Sequence, residues 1–320
     1  MAMPEKTRGT LGNIPREVLF LILFVVCSAT LFIESNLPNR VSESTADLYK
    51  SLMHLDPAKA VFVQSDWTNS TRGESRAQFE GMIRILIRKR IKIGLLSVGD
   101  PQAPEVARGA IEKIAREEEA KGGQPYKRWE DWVFVGFFPG AEASMQSIGT
   151  NLSNATSTKK DNDSNGVKRS IKESPVMNGI NTVSDLGAYI VVTGTKSSRI
   201  SIERLSGRVT MLAQVTGVMG PETFNYYQTK QLAGLGIGLK GAYDLESMME
   251  YGLNTTGADG KVKVSNSKVT DVVDGWAGKQ NLANAQKYIV PLHGAIFLLI
   301  LAIVLGNIQT IRDRKKKVNA

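Results

Sequence analysis

Residues 60–100 read "AVFVQSDWTNSTRGESRAQFEGMIRILIRKRIKIGLLSVGD". The first seven, "AVFVQSD", form an apolar run of strand length that ends in polar residues. "ESRAQFEGMIRILIRKR" then sets Phe79, Met82, Ile83 and Leu86 at helical spacing. "IKIGLLSVGD" is a second strand, broken at Gly99, Asp100 and Pro101. Strand, amphipathic helix and strand in this order build a parallel pair with the helix lying across it.

The rhythm continues outward. Val106, Ala107, Ala110, Ile111, Ile114 and Ala115 line one stripe of a following helix. "DWVFVGFF" (131–138) is a third strand, and "PGAEASMQSI" opens another helix. A polar stretch of residues 150–178, beginning "TNLSNATSTKKDNDSNG", interrupts the pattern and reads as a surface loop or disordered excursion. Strand-like runs resume at "AYIVVTG" (188–194) and "MLAQVTGVM" (211–219). The expected fold is α/β and Rossmann-like: an open, mostly parallel sheet of about five strands with helices on both faces. Residues 252–287 read as a polar connector, within which "KVKVSNSKV" could add a strand.

Two apolar runs bracket this domain. Residues 288–308, "YIVPLHGAIFLLILAIVLGNI", meet the roughly 20 residues a membrane-crossing helix requires. Residues 18–34 are shorter, but no small-x-small cleavage site follows them, and a bulky Val precedes Cys27 where a lipoprotein signal needs a small residue. An uncleaved anchor is the expectation. Lys6, Arg8 and Arg16 precede the first run, and Arg312, Arg314, Lys315, Lys316 and Lys317 follow the second. Such cations stay on the cytoplasmic side. The expected arrangement is therefore two-pass in the plasma membrane. A cytoplasmic segment (1–17) and a basic cytoplasmic tail (309–320) flank an extracytoplasmic domain (35–251) and its connector. Over half of the +9 net charge lies at the two ends, which removes the case for nucleic acid. The single cysteine, Cys27, excludes an internal disulfide and thiolate metal sites. Five Asn-x-Ser/Thr sites, at Asn69, Asn151, Asn154, Asn162 and Asn254, all lie in the segment expected outside.

One stretch invites a nucleotide. In "QLAGLGIGLKGAYDLE" (231–246), Gly236, Gly238 and Gly241 fit G-x-G-x-x-G. That fingerprint needs a strand before its first glycine, and "KQLAGL" shows none. Leu232, Leu235, Leu239 and Ala242 instead suggest a helix in which Gly234, Gly236, Gly238 and Gly241 permit close approach to the sheet, a neighbouring helix or a second copy. No nucleotide or other cofactor is expected.

"SDWTNSTRGESRAQ", "FFPGAEASMQSI" and "YYQTKQLAGLGIGLKGAYDLE" together resemble an uncharacterised group of prokaryotic proteins in which two membrane anchors flank an extracytoplasmic α/β domain. The resemblance spans most of residues 60–250, although the polar excursion is longer here. It implies architecture and no catalytic residue.

For chemistry, His54 precedes the first strand and His293 falls in the second apolar run, so a Ser-His-Asp triad is not expected. Ligands of an open parallel sheet bind beyond its strand C-termini. There the sequence offers Asp66, Asp100, Glu142, Thr193, Thr195 and Glu222 as a candidate pocket, and no metal set. Glu74 and Glu142 open helices, where a carboxylate also suits the helix dipole. The leading expectation is a non-enzymatic, membrane-anchored accessory or scaffold subunit of a cell-envelope complex. Its partners would be the lipid bilayer and a second copy or other envelope subunits. The alternative is a tethered hydrolase or sugar-active enzyme using the strand-end carboxylates.

Overall fold

The alternation of buried strands and amphipathic helices is realised as six strands: β1 (Val61–Asp66), β2 (Ile93–Ser97), β3 (Trp132–Phe137), β4 (Ala188–Thr193), β5 (Met211–Val215) and β6 (Gly234–Ile237). They hydrogen-bond in the order β3-β2-β1-β4-β5-β6, and each pairing is parallel. The structure, a computed structural model, describes residues 16–32, 39–279, 281–282 and 284–318. Lys6, Arg8 and Glu34 lie outside the described residues, as do the side chains of Arg16, Arg312, Lys315, Lys316 and Lys317.

The helices are α1 (Arg16–Thr30), α2 (Glu43–Met53), α3 (Arg72–Arg88), α4 (Ala103–Ala120), α5 (Ala141–Thr150), α6 (Ser197–Leu205), α7 (Gly220–Gln228), α8 (Gly238–Tyr251) and α9 (Asn284–Val318). Side chains alternate across each strand. Val61, Val63, Ile190, Val192 and Leu212 therefore face one way and join α2, α3, α4 and α8 in one core. Phe62, Tyr189, Val191 and Ala213 face the other way and join α5, α6 and α7 in a second. Phe79, Met82, Ile83 and Leu86, the stripe that marks α3 in the sequence, are fully buried.

Three expectations are corrected. The sheet has a sixth strand, β6, because residues 234–237 are extended rather than helical. Glycine lacks the side chain that would have revealed the strand, and its absence is what lets α2 lie on top. A Cβ on Gly234 would stand 2.3 Å from the Leu48 Cα. The polar stretch 150–178 is ordered. It contains a helical turn at Leu152–Ala155 and a small hairpin of Lys160–Asn162 with Lys168–Ser170. Leu152, Ile171, Val176 and Met177 are its few apolar side chains, and all are buried in the second core. The connector also belongs to the domain. Val264 pairs with Asn39, Leu253 with Val273, and Val264, Val269 and Val273 enter the first core. Among the described residues, 39–285 thus form one compact unit, while 16–32 and 286–318 form a second.

Within that second unit, Gly294 meets α1. A Cβ there would stand 3.3 Å from both the Val26 Cγ1 and Thr30 Cγ2 atoms. Among the described residues one helical stretch, Asn284–Ile308, is long and apolar enough to cross a membrane. The 15 described residues of α1 rise about 22 Å.

Candidate functional site

The strand order reverses between β1 and β4. In doubly wound sheets that point leaves a crevice beyond the strand C-termini. Asp66 and Thr193 close the two strands side by side. Asp66 is 2 % exposed, and both of its carboxylate oxygens are engaged. Oδ1 accepts from Ser97 Oγ at 2.5 Å and from the backbone N–H groups of Val98 and Gly99 at 3.0 Å each. Oδ2 accepts from Gln64 Nε2 at 2.5 Å. Gln64 in turn accepts from the hydroxyls of Tyr189 (2.9 Å) and Ser201 (2.6 Å). Burial and the charge of Asp66 push the Tyr189 hydroxyl well above its ordinary range, so it remains a neutral donor. This chain fastens the β2–α4 loop and α6 onto the end of β1. Four donors occupy both oxygens of the Asp66 carboxylate, which ties it into the scaffold.

The other sequence-selected residues have local roles. Asp100 accepts from the Gln102 backbone N–H at 2.7 Å and shapes the entry to α4. Glu142, exposed in the first turn of α5, pairs with Arg204 of α6. Thr193 accepts from the Thr195 N–H at 3.0 Å, and the hydroxyls of Thr193, Thr195 and Ser197 form a hydrogen-bonded cluster at the start of α6. Glu222 lies half-buried in the first turn of α7. The edge thus brings Asp66 and Thr193 together, whereas Asp100 shapes the entry to α4 and Glu142 bridges α5 to α6. Among the described residues no group of three or more His, Cys, Asp or Glu could hold a metal ion. His54 and His293 both engage a carbonyl of their own helical segment, Lys50 O and Ile289 O.

The glycine motif has the layout the sequence concealed. Gly234 and Gly236 lie in β6, Gly238 turns the chain at φ +59°, and Gly241 sits in α8. Strand, turn and helix follow directly, as in a dinucleotide fingerprint. The neighbourhood is nevertheless wrong for phosphate. Glu74 Oε2 accepts from the Gly217 N–H at 2.7 Å and lies 3.4 Å from where a Gly238 Cβ would stand. A carboxylate already faces the positive end of α8, and it would repel a second anion. All four glycines are buried, and their openness serves contacts with Leu48, Gln214, Glu74 and Gly217.

Sequence reasoning missed a polar seam beneath α3. Among the described residues, six buried side-chain atoms have no hydrogen-bond partner: Ser65 Oγ, Trp67 Nε1, Thr71 Oγ1, Ser75 Oγ, Gln78 Oε1 and Gln214 Oε1. All belong to one seam. Gln64 and Asp66 point toward α6, so alternation turns Ser65 toward α3. The Trp67 ring packs on Phe79 of α3 with centroids 5.7 Å apart. Thr71 leads into α3, and Ser75 and Gln78 lie on its buried face. Gln214 reaches the same helix by donating to the Gln78 carbonyl at 2.8 Å. Gln78 Nε2 donates to Val215 O at 2.7 Å and Gly238 O at 3.1 Å. A signal was present in the sequence: Ser75 and Gln78 share the helical stripe of Phe79 and Met82, where polar residues are unusual.

No family model, curated protein or solved structure matches this chain.

Proposed function

We propose that this chain is a membrane-tethered, non-catalytic binding domain that holds a small polar ligand in the seam between α3 and the sheet, as an accessory subunit of a cell-envelope assembly. The six unpartnered polar atoms gathered beneath α3 carry this reading. Each buried donor or acceptor left without a partner costs about 1–3 kcal/mol, and such a group calls for a water, an ion or a ligand to meet it. The ligand's size is limited, because Thr71 closes on Gly194: a Cβ on Gly194 would stand 2.6 Å from Thr71 Cγ2. Binding is favoured over hydrolysis because Asp66, Asp100 and Glu142 are already engaged in fastening loops and helices.

The tether is α9, with α1 as the proposed second span. The cations at both ends support cytoplasmic termini and an exported domain. An impermeant amine reagent applied to sealed cells should modify the exposed Lys160. Labelling only after lysis would reverse the sidedness.

The ligand test uses the full chain in mild detergent, unfolded by heat and followed by tryptophan fluorescence. It is run against phosphate, short carboxylates, monosaccharides and nucleotides. A ligand at 100 times its Kd adds about 2.7 kcal/mol, or roughly 5–10 °C for a domain of this size. Ser75→Ala should abolish that rise while leaving the unliganded midpoint unchanged or higher. Turnover of a stabilising compound, or no rise with any class, would overturn the proposal.

A further inference from the structure

At the opposite end of α3, a cleft of about 260 Å³ is lined by Arg88, Arg90, Lys121 and Lys279, with Glu118 as its one carboxylate and Trp276 as its apolar wall. Several cations converge on that carboxylate. Glu118 accepts from Arg84 at 3.0 Å and from Arg88 at 2.7 Å, with Lys121 at 3.9 Å, while Arg84 also pairs with Glu117 at 2.5 Å. Arg88 also stacks over Trp276, 5.4 Å from the ring centroid. Arg90 reaches Asp131 at 2.7 Å, and Lys279 is exposed. The C-termini of α3 and α4 meet here and offset about one unit of positive charge between them, which still leaves the cleft cationic. Burial, followed by the charge of Arg84, lowers the Lys121 ammonium below its ordinary value against the opposing charge of Glu118.

The cleft's place along the chain indicates which anion it meets. Arg88 donates to Asn281, whose own amide is fixed on Met249 O and Glu250. Asn284 donates to Glu80 at 2.7 Å, and the Ala285 N–H to Glu246 at 3.1 Å. Asn281 stands seven residues before Tyr288, the first residue of the apolar run. The four from Asn284 to Lys287 are helical and rise about 6 Å. Polar headgroups occupy about 5–8 Å beyond the hydrocarbon, and long basic side chains extend toward them.

We propose that this cleft binds the phosphate headgroup of an anionic lipid, fixing the domain against the membrane surface. The inference rests on the membrane-tethered reading. It is independent of any ligand under α3.

The experiment reconstitutes the full chain in nanodiscs of phosphatidylcholine, alone or mixed with phosphatidylglycerol. Acylation rates at Lys121 and Lys279 are measured by peptide mass spectrometry, with Lys160 as the internal reference. Several-fold slower modification of Lys121 and Lys279 in the anionic discs, with Lys160 unchanged, is the expected result. Lys279→Gln should weaken the protection of Lys121. Equal rates in the two lipids overturn the proposal. Equal protection by inorganic phosphate in phosphatidylcholine discs reassigns the cleft to a soluble anion and also overturns it. A chain that fails to enter nanodiscs removes the tether itself, which size exclusion distinguishes from a tethered chain with no lipid preference.

Discussion

Gly234→Ala probes the contact that hid β6 from the sequence. The added Cβ would stand 2.3 Å from the Leu48 Cα and 2.5 Å from its N. Carbon atoms pack at about 3.5–4.0 Å, and both obstacles are backbone, so no side-chain rotation relieves the clash. Helix α2 must retreat by more than 1 Å. It buries Leu48, Tyr49 and Leu52 completely, and burying one such side chain contributes about 1.5–3 kcal/mol. A gap approaching 1 Å forfeits a quarter to a half of the dispersion well. The expected loss is therefore about 2–4 kcal/mol, within the upper range for overpacking. Gly109→Ala is the internal control. It lies within α4 with no heavy atom near its Cβ position, so it should stabilise by up to about 1 kcal/mol. Urea unfolding of the full chain in mild detergent, read through the buried Trp67 and Trp132, measures both. If Gly234→Ala matches wild type, α2 does not rest on β6 at this distance and the account of the glycine motif is wrong.

Two further outcomes follow from the buried charges. Asp66→Ala removes the acceptor for four donors and should cost at least about 3 kcal/mol; a variant of unchanged urea midpoint would return Asp66 to the candidates for chemistry. Burial pushes the Glu117 and Glu118 carboxyls up. Hydrogen bonds and charge from Arg84 at Glu117, and from Arg88 and Arg84 at Glu118, outweigh it and hold both below the ordinary 4.5. With the folded value the lower one, their stabilisation is complete above 4.5 and is lost as pH falls through that folded value. Arg84→Met, which leaves the 6 %-exposed Glu118 side chain with Arg88 and the more distant Lys121, should cost about 1–3 kcal/mol at neutral pH. Its deficit should narrow below 4.5; a deficit independent of pH would contradict the assignment.

What the sequence disclosed depended on how local each signal was. β1, α3 and β2 were legible because their apolar residues recur at fixed short intervals and enter the core at those intervals. β6 was not, since Gly234 and Gly236 carry no side chain and their burial depends on Leu48, nearly two hundred residues earlier. The excursion after Thr150 looked structureless because Ile171, Val176 and Met177 are too sparse to show a period, yet each finds the second core. Asp66 and Thr193 do end neighbouring strands, but the sequence was blind to the contacts they make there. The groups that saturate Asp66 come mostly from Ser97, Val98 and Gly99, some thirty residues away in another loop.

The three consecutive polar residues of β1 separate scaffold from function. Gln64 and Asp66 point toward α6, where Ser97, Tyr189, Ser201 and two backbone N–H groups satisfy them and make that edge rigid. Ser65, between them, points toward α3, into a layer where Ser75, Gln78 and Gln214 also lack a partner for one atom each. A strand whose period is two residues cannot turn all three to one face, so the fold divides them. Folding alone accounts for the satisfied side, whose hydrogen bonds offset its desolvation. On the other side the Gln78 and Gln214 amides still hold the carbonyls of Val215, Gly238 and Gln78, whereas alanine at Ser65 or Ser75 would avoid the penalty of an unmet hydroxyl. The hydroxyls of Ser65 and Ser75 are therefore the groups in this layer from which the proposed ligand would draw hydrogen bonds that the fold itself does not supply.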